Sequence, residues 1–281
     1  MSVIAWYSIG EALRRRVFLV IVVLTAAFLA LYALGSKAIF DEVKQNQFGT
    51  ELIEETTTAG GTLIGLGMFV TMFLGVVLAV FMTMSTVRGD SERGILQPLA
   101  VRPVGRSSVL LGRLLAALAV TAAYVAAVFG LLVLITWATG DWTPDHVLTP
   151  AAGIIGAVAI VTCLSVLGSI FLSTNANGIA IFMIFGAGLT AGLLNQIGEA
   201  LDSDRLEQIS DVSTFLLPFE ALYQGGLSAL TSDTSGVTKV VIELGPFGGA
   251  ESLGIGAIIW AVLYAVGAVG LAIGGFQRTD L

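Results

Sequence analysis

Long apolar runs recur along the chain, separated by shorter polar stretches. The runs lie at about 17–36, 62–87, 114–137, 150–173, 179–197 and 252–275. Each holds enough apolar residues to cross a hydrocarbon core about 30 Å thick as a helix. Inside hydrocarbon every backbone polar group must be satisfied within its own segment, so runs of this length read as helices. The pattern predicts an all-α, polytopic membrane protein: a single transmembrane domain over 1–281 with six spans. Ahead of the first run, Val3, Ile4, Trp6, Ile9 and Leu13 alternate with Glu11, Arg14, Arg15 and Arg16. That spacing predicts a short interfacial helix anchored by Trp6 and the three arginines. The run at 17–35 is too long for a signal-peptide core and has no small-residue cleavage site behind it, so it reads as a span.

Two polar segments stand out. The first, 88–113, reads RGDSERGILQPLAVRPVGRSSVLLGR and carries five arginines against Asp90 and Glu92. Ser91 or Asp90 can cap a short helix there, and Glu92 lies favourably near its N-terminus. Ile95, Leu96 and Leu99 give that helix a small apolar face. The second segment, 198–251, opens with the charged stretch EALDSDRLEQISD, which reads as helical. It continues into an apolar stretch over 213–230 broken by Pro218 and by Gly225–Gly226. That stretch is too interrupted to span alone. It predicts a pair of short helices, either re-entrant or interfacial, or else a cap on the extracytoplasmic side. The STNANG sequence at 173–178 reads as the turn between spans four and five. GxxxG spacings at Gly61–Gly65, Gly188–Gly192 and Gly270–Gly274 allow close helix–helix approach.

Composition agrees with this class: 56% of the 281 residues are hydrophobic and 12% are charged, unlike a water-soluble domain. One cysteine, Cys163, excludes an intrachain disulfide framework. Charge then orients the chain. With six spans both termini share a side. Placing 88–113 in the cytoplasm puts Arg14, Arg15, Arg16, Arg88, Arg93, Arg102, Arg106, Arg113 and Arg278 there, and leaves only Lys37, Lys44, Arg205 and Lys239 outside. The bias of basic residues toward the cytoplasm favours this orientation. It implies a cell (plasma or inner) membrane protein with both termini inside.

Several chemistries find no support. No acidic or basic residue falls well inside the six runs, and such a residue costs roughly 2.5–3.5 kcal/mol at a span centre. Ion-coupled carriers commonly use one, although Thr71, Thr162, Asn195 and backbone carbonyls could bind an ion. No Gly-Lys-Ser/Thr step offers a phosphate loop, and there is no HExxH or GxSxG. The chain is therefore not expected to be an enzyme, and neither a catalytic residue nor a metal site is assigned. Met68, Met72, Met82 and Met84 could pass a soft metal such as copper(I), but methionine is also ordinary core filler. Nothing in the pattern calls for nucleic acid.

The order of these pieces resembles the membrane (permease) subunit of ABC transporters of the type-2 family. The N-terminal segment IGEALRRRVF runs straight into span one. ERGILQPLAVRPVGRSSVLLGRLLA, 92–116, is similar to the family's segment between spans two and three, matched here by Glu92, Gly94, Leu96, Leu99, Arg102, Pro103 and Arg106. LLPFEALY before the last span and the terminal FQRTDL are also similar. Six-span, exporter-type relatives include permeases linked to multicopper-enzyme maturation. The resemblance implies two permease subunits, a homodimer or a pair of close paralogues, with separate ATPase subunits beneath. The chain would hold no cofactor of its own; ATP and Mg would sit in the partner. The 88–113 loop would carry a coupling helix, using Glu92, Gly94, Ile95, Leu96, Leu99, Arg102, Pro103 and Arg106. Gln97–Pro98 departs from the helix-favouring residues usual in that segment and would shorten or kink the helix. Pro218, Phe219, Glu220 and Tyr223 would belong to an outer gate. Two other readings stay open from the residues alone: an ion-coupled carrier or channel acting alone, and a non-transporting membrane scaffold.

Overall fold

The computed structural model describes residues 16–46, 50–84, 106–201, 203–230 and 253–278. Among these residues there are eight α-helices and no strand: α1 Arg16–Asn46, α2 Thr50–Thr83, α3 Arg106–Gly140, α4 Leu148–Phe171, α5 Thr174–Leu201, α6 Asp204–Leu216, α7 Pro218–Leu230 and α8 Ile255–Arg278. Six of them, α1 to α5 and α8, are long and apolar enough to cross a membrane.

The helices outrun the apolar runs that predict them. α1 continues through Lys37, Asp41 and Glu42, and α3 begins at Arg106 rather than near 114. Lys, Glu and Arg are good helix formers, and at the edge of the bilayer they can extend a helix while their charged ends reach water. The STNANG stretch is also tighter than a turn of six residues. α4 stops at Phe171 and α5 starts at Thr174, with the Asn177 N–H donating to the Ser173 carbonyl at 2.8 Å. Ser, Thr and Asn here open a helix, as these residues do at N-termini. α3 ends in the opposite manner. Asp141 takes φ 52°, and its N–H reaches the Trp137 carbonyl at 2.9 Å. Aspartate tolerates this left-handed conformation better than most residues.

Side-chain pairings fix the relative direction of the helices. α1 and α3 run parallel, joined by Thr25–Tyr124 at 2.5 Å, Tyr32–Thr136 at 2.7 Å and Ser36–Thr139 at 2.7 Å. α2 runs antiparallel to α3, with Gly67 facing Leu132 and Gly75 facing Val125. It runs parallel to α4, with Gly75 facing Val158 and Thr83 facing Ser165. Each consecutive crossing among α1 to α4 therefore reverses direction. The starts of α1, α3 and α5 lie on one side with the ends of α2, α4 and α8. The turn at 141–147 and the start of α8 lie on the other.

The main core forms where α2, α4 and α7 meet. Ile64, Met68, Met72 and Val76 pack there with Ile154, Val158, Val161, Phe219, Tyr223 and Leu227. Met68 and Met72 are fully buried in this cluster, where thioethers fill irregular space. A smaller cluster joins Cys163, Val166 and Ile170 of α4 to Ala268, Ala272 and Phe276 of α8.

Candidate functional site

The residues predicted for partner docking fall mainly outside the described residues: Glu92, Gly94, Ile95, Leu96, Leu99, Arg102 and Pro103 do so, as do Trp6, Arg14 and Arg15. Arg106 opens α3 and Arg16 opens α1. What the structure supplies is the frame from which the 85–105 segment hangs. Thr83, the last residue of α2, is buried. Its Oγ1 stands 2.6 Å from the Ala79 carbonyl oxygen and 2.7 Å from Ser165 Oγ on α4. Asn177 of α5 donates from Nδ2 to the Ser165 carbonyl at 2.9 Å. Its Oδ1 is buried without a hydrogen-bond partner and lies against Gly168, where a Cβ would collide with it. Three helices are thus tied together beside the start of the polar loop. At the loop's other end, Gln277 Nε2 of α8 donates to Ser107 Oγ of α3 at 3.0 Å. Displacing either end of the loop must strain one of these ties.

The sequence does not single out Thr83, Ser165, Asn177 or Gln277. Asn177 and Gln277 lie just outside the apolar runs and carry no signal. For Thr83 and Ser165 the signal is weak but real: hydroxyl groups inside apolar runs bond across helices, at about 0.6 kcal/mol each on average. Many such groups satisfy themselves locally instead. Thr71, Thr121 and Thr162 each bond a carbonyl four residues earlier on their own helix. Sequence does not tell the two cases apart.

On the far side, α6 and α7 form a pair of short helices broken at Leu217. Pro218 explains the break. It disfavours helix at the residue before it, and it suits the first helical position, where an N–H is not needed. Pro218, Phe219, Glu220 and Tyr223 are all buried, so the structure brings the four predicted residues together on α7. The Phe219 ring stacks on Phe185 at 5.7 Å and fits against Gly188. Glu220 sits against Gly192, and its Oε1 accepts a hydrogen bond from Gln224 Nε2. The Gly188–Gly192 pair is therefore the seat for the first turn of α7. On its other flank α7 meets α4 backbone to backbone: a Cβ on Gly153 would lie 2.6 Å from the Leu222 carbonyl oxygen and 3.0 Å from Gly226 Cα. α6 differs. Its Val212, Phe215 and Leu216 are exposed, and Phe215 stacks on Trp260 of α8 at 4.3 Å, while Trp260 Nε1 donates to the Phe215 carbonyl at 2.8 Å.

Glu220 changes the electrostatic picture drawn from sequence. The six apolar runs hold no acidic or basic side chain, yet the bundle contains a carboxylate that is 1% exposed. It arrives on a short helix that does not itself span. Burying a carboxylate is costly unless it is neutralised or bonded, and here a neighbouring amide and the N-terminal turn of α7 offset part of that cost. Among the described residues, no group of three His, Cys, Asp or Glu side chains is placed to hold a metal ion.

Residues 2–281 match the model of a family described as ABC-2 family transporter protein. Comparison with curated proteins gives no match. The family is one of membrane permeases, which implies an ABC ATPase and membrane lipid as partners. With six helices able to cross a bilayer and a family match over nearly its whole length, the chain belongs to the ABC-2 transporter family and is a multi-pass ABC-transporter permease.

Proposed function

We propose that this permease works as an exporter subunit, pairing with a second permease chain and driven by separate ATPase subunits that dock on residues 88–113. In this reading Ile95, Leu96 and Leu99 enter an apolar groove of the ATPase. Glu92, Arg102 and Arg106 pair with charges around it. The termini and this loop face the cytoplasm, Trp6 with Arg14, Arg15 and Arg16 holds the N-terminal helix at the inner interface, and α7 gates the outer mouth. ATP and Mg bind the partner, and this chain does no bond-breaking chemistry.

One observation carries the reading: the helix ends flanking the arginine-rich loop are tied by Thr83, Ser165 and Asn177 to α4 and α5, and by Ser107 and Gln277 to α8. Those ties give a push on the loop a direct route to three other helices, α4, α5 and α8. The test is the co-purified ATPase with Glu92→Gln and Arg102→Ala permeases. The expected result is continued hydrolysis with loss of its coupling to transport. Coupling that survives both substitutions removes the loop from the mechanism.

The buried Glu220 favours a second reading, an ion-coupled carrier acting alone, because intramembrane carboxylates commonly serve ion pathways. Transport by the purified chain in liposomes, without ATP or ATPase, would establish it.

A further inference from the structure

An apolar cavity of about 370 Å³ lies between α4, α7 and α8, away from both the loop frame and the Glu220 seat. Its walls run from Thr149 to Ile160 on α4 and from Ile258 to Ala265 on α8, with Leu222, Gly225 and Gly226 of α7 closing the inner side. The lining is almost wholly aliphatic, with the Thr149 side chain at the end nearest the membrane surface. At 1.5 Å per residue, the α4 wall is about 16 Å long. That is close to half of the ~30 Å hydrocarbon thickness. The cavity therefore extends through roughly one leaflet.

Its mouth is as informative as its depth. Ala152, Ile258 and Val262 line the cavity and are themselves exposed, so it opens sideways onto the same apolar surface that the spans present to lipid. Small residues create the space: Ala152, Ala159, Ala261 and Ala265 stand where larger side chains would fill it. Water is a poor occupant, because a buried water needs two to four polar partners and this lining offers almost none. An empty cavity would leave its walls without dispersion contacts. At about 30 Å³ per group of water's size, the volume holds roughly a dozen such groups. A stretch of one hydrocarbon chain has that size, that shape and that depth.

The geometry points to a resident lipid-chain site: a phospholipid of the leaflet on the 141–147 side places one acyl chain between α7 and α8, with its ester region near Thr149. The chain completes the packing that holds α7 against the last span. Only the naming of that leaflet as the outer one rests on the topology proposed above. If the topology were reversed, the pocket would change leaflet and keep its occupant.

The experiment uses the full-length chain in nanodiscs of phosphatidylcholine carrying a photoreactive group midway along one acyl chain. After irradiation, adducts are mapped by peptide mass spectrometry. The expected result is label on 149–160 and 253–265 several-fold above that on the exposed face of α1, which serves as the measure of ordinary lipid contact. Ala159→Phe fills the cavity, and Ala152→Trp blocks its mouth from an exposed position that leaves the core intact. Each should remove the excess while the label on α1 stays. Label no higher than on α1, or unchanged by Ala152→Trp, overturns the proposal. So does efficient cross-linking between copies through Val262→Cys, which would make the mouth a subunit contact. Label that disappears only while a co-reconstituted ATPase turns over ATP would make the pocket part of the cargo path, and would overturn a resident lipid while supporting the transporter reading.

Discussion

α2 and α8 are both apolar helices of spanning length, yet they live in different surroundings. In the most apolar stretch of α2, 72% of residues are buried, and in α4 61%; in α1 and α8 the figure is 17%. Hydropathy does not separate them. The placement of small residues does. Gly65, Gly67 and Gly75 on α2, and Gly153 and Gly156 on α4, each have a neighbour within van der Waals reach of an added Cβ. On α8, Gly256, Gly267, Gly270 and Gly274 have none within 4 Å. With lipid as apolar as leucine, helices associate where backbones can approach and side chains interlock, not where residues are merely apolar. α2, α4 and α7 form the packed middle, while α1 and α8 present broad faces to their surroundings.

The sharpest way to break that contrast is at Gly153. Gly153→Val pushes a side chain into the α7 backbone, and overpacking of this kind costs about 1–3 kcal/mol where atoms can move. With carbonyl oxygen and Cα as the obstacles, the cost should lie at the upper end, read as a lowered Tm in detergent. An unchanged Tm would mean that α4 and α7 are not in close contact. Gly75→Leu meets the side chains of Val125 and Val158 instead, at 2.8 and 3.1 Å from the Cβ position. These can yield, so the loss should be smaller, about 1–2 kcal/mol on the same scale.

Thr83→Val and Tyr32→Phe each delete one cross-helix hydrogen bond, worth about 0.6 kcal/mol. Their effects on Tm should be alike. Only Thr83→Val, beside the loop, should weaken the link between ATP hydrolysis and transport; equal effects of both would dissolve the assigned role of the inner tie. Gly270→Leu should be nearly silent in the isolated chain, within about 0.5 kcal/mol. A marked loss of association between copies would instead show that this face of α8 meets the second permease subunit.

The six spans were legible because length and hydropathy depend only on local sequence. Their ends were less so. Ser107 to Arg113 looks like loop by polarity, yet it continues α3 because a helix does not stop where the hydrocarbon does. Gly188–Gly192 could be read as a close-approach site, but not that Phe219 and Glu220 would occupy it. The grouping of Pro218, Phe219, Glu220 and Tyr223 was readable from the LLPFEALY stretch. The depth of Glu220 was not, because α7 is too short to register as a membrane element. The acyl-chain cavity had no sequence signal: alanine at 152 and 159 looks like any small residue in a span until α7 and α8 are in place.

The central claim is that the arginine-rich loop stands on the side where the ATPase docks. The direct measurement places a cysteine at Arg102 in a chain whose buried Cys163 is replaced by serine, and labels it with a membrane-impermeant maleimide. Labelling in inverted vesicles but not in intact cells is the predicted result. Labelling in intact cells would put the loop outside and contradict the account.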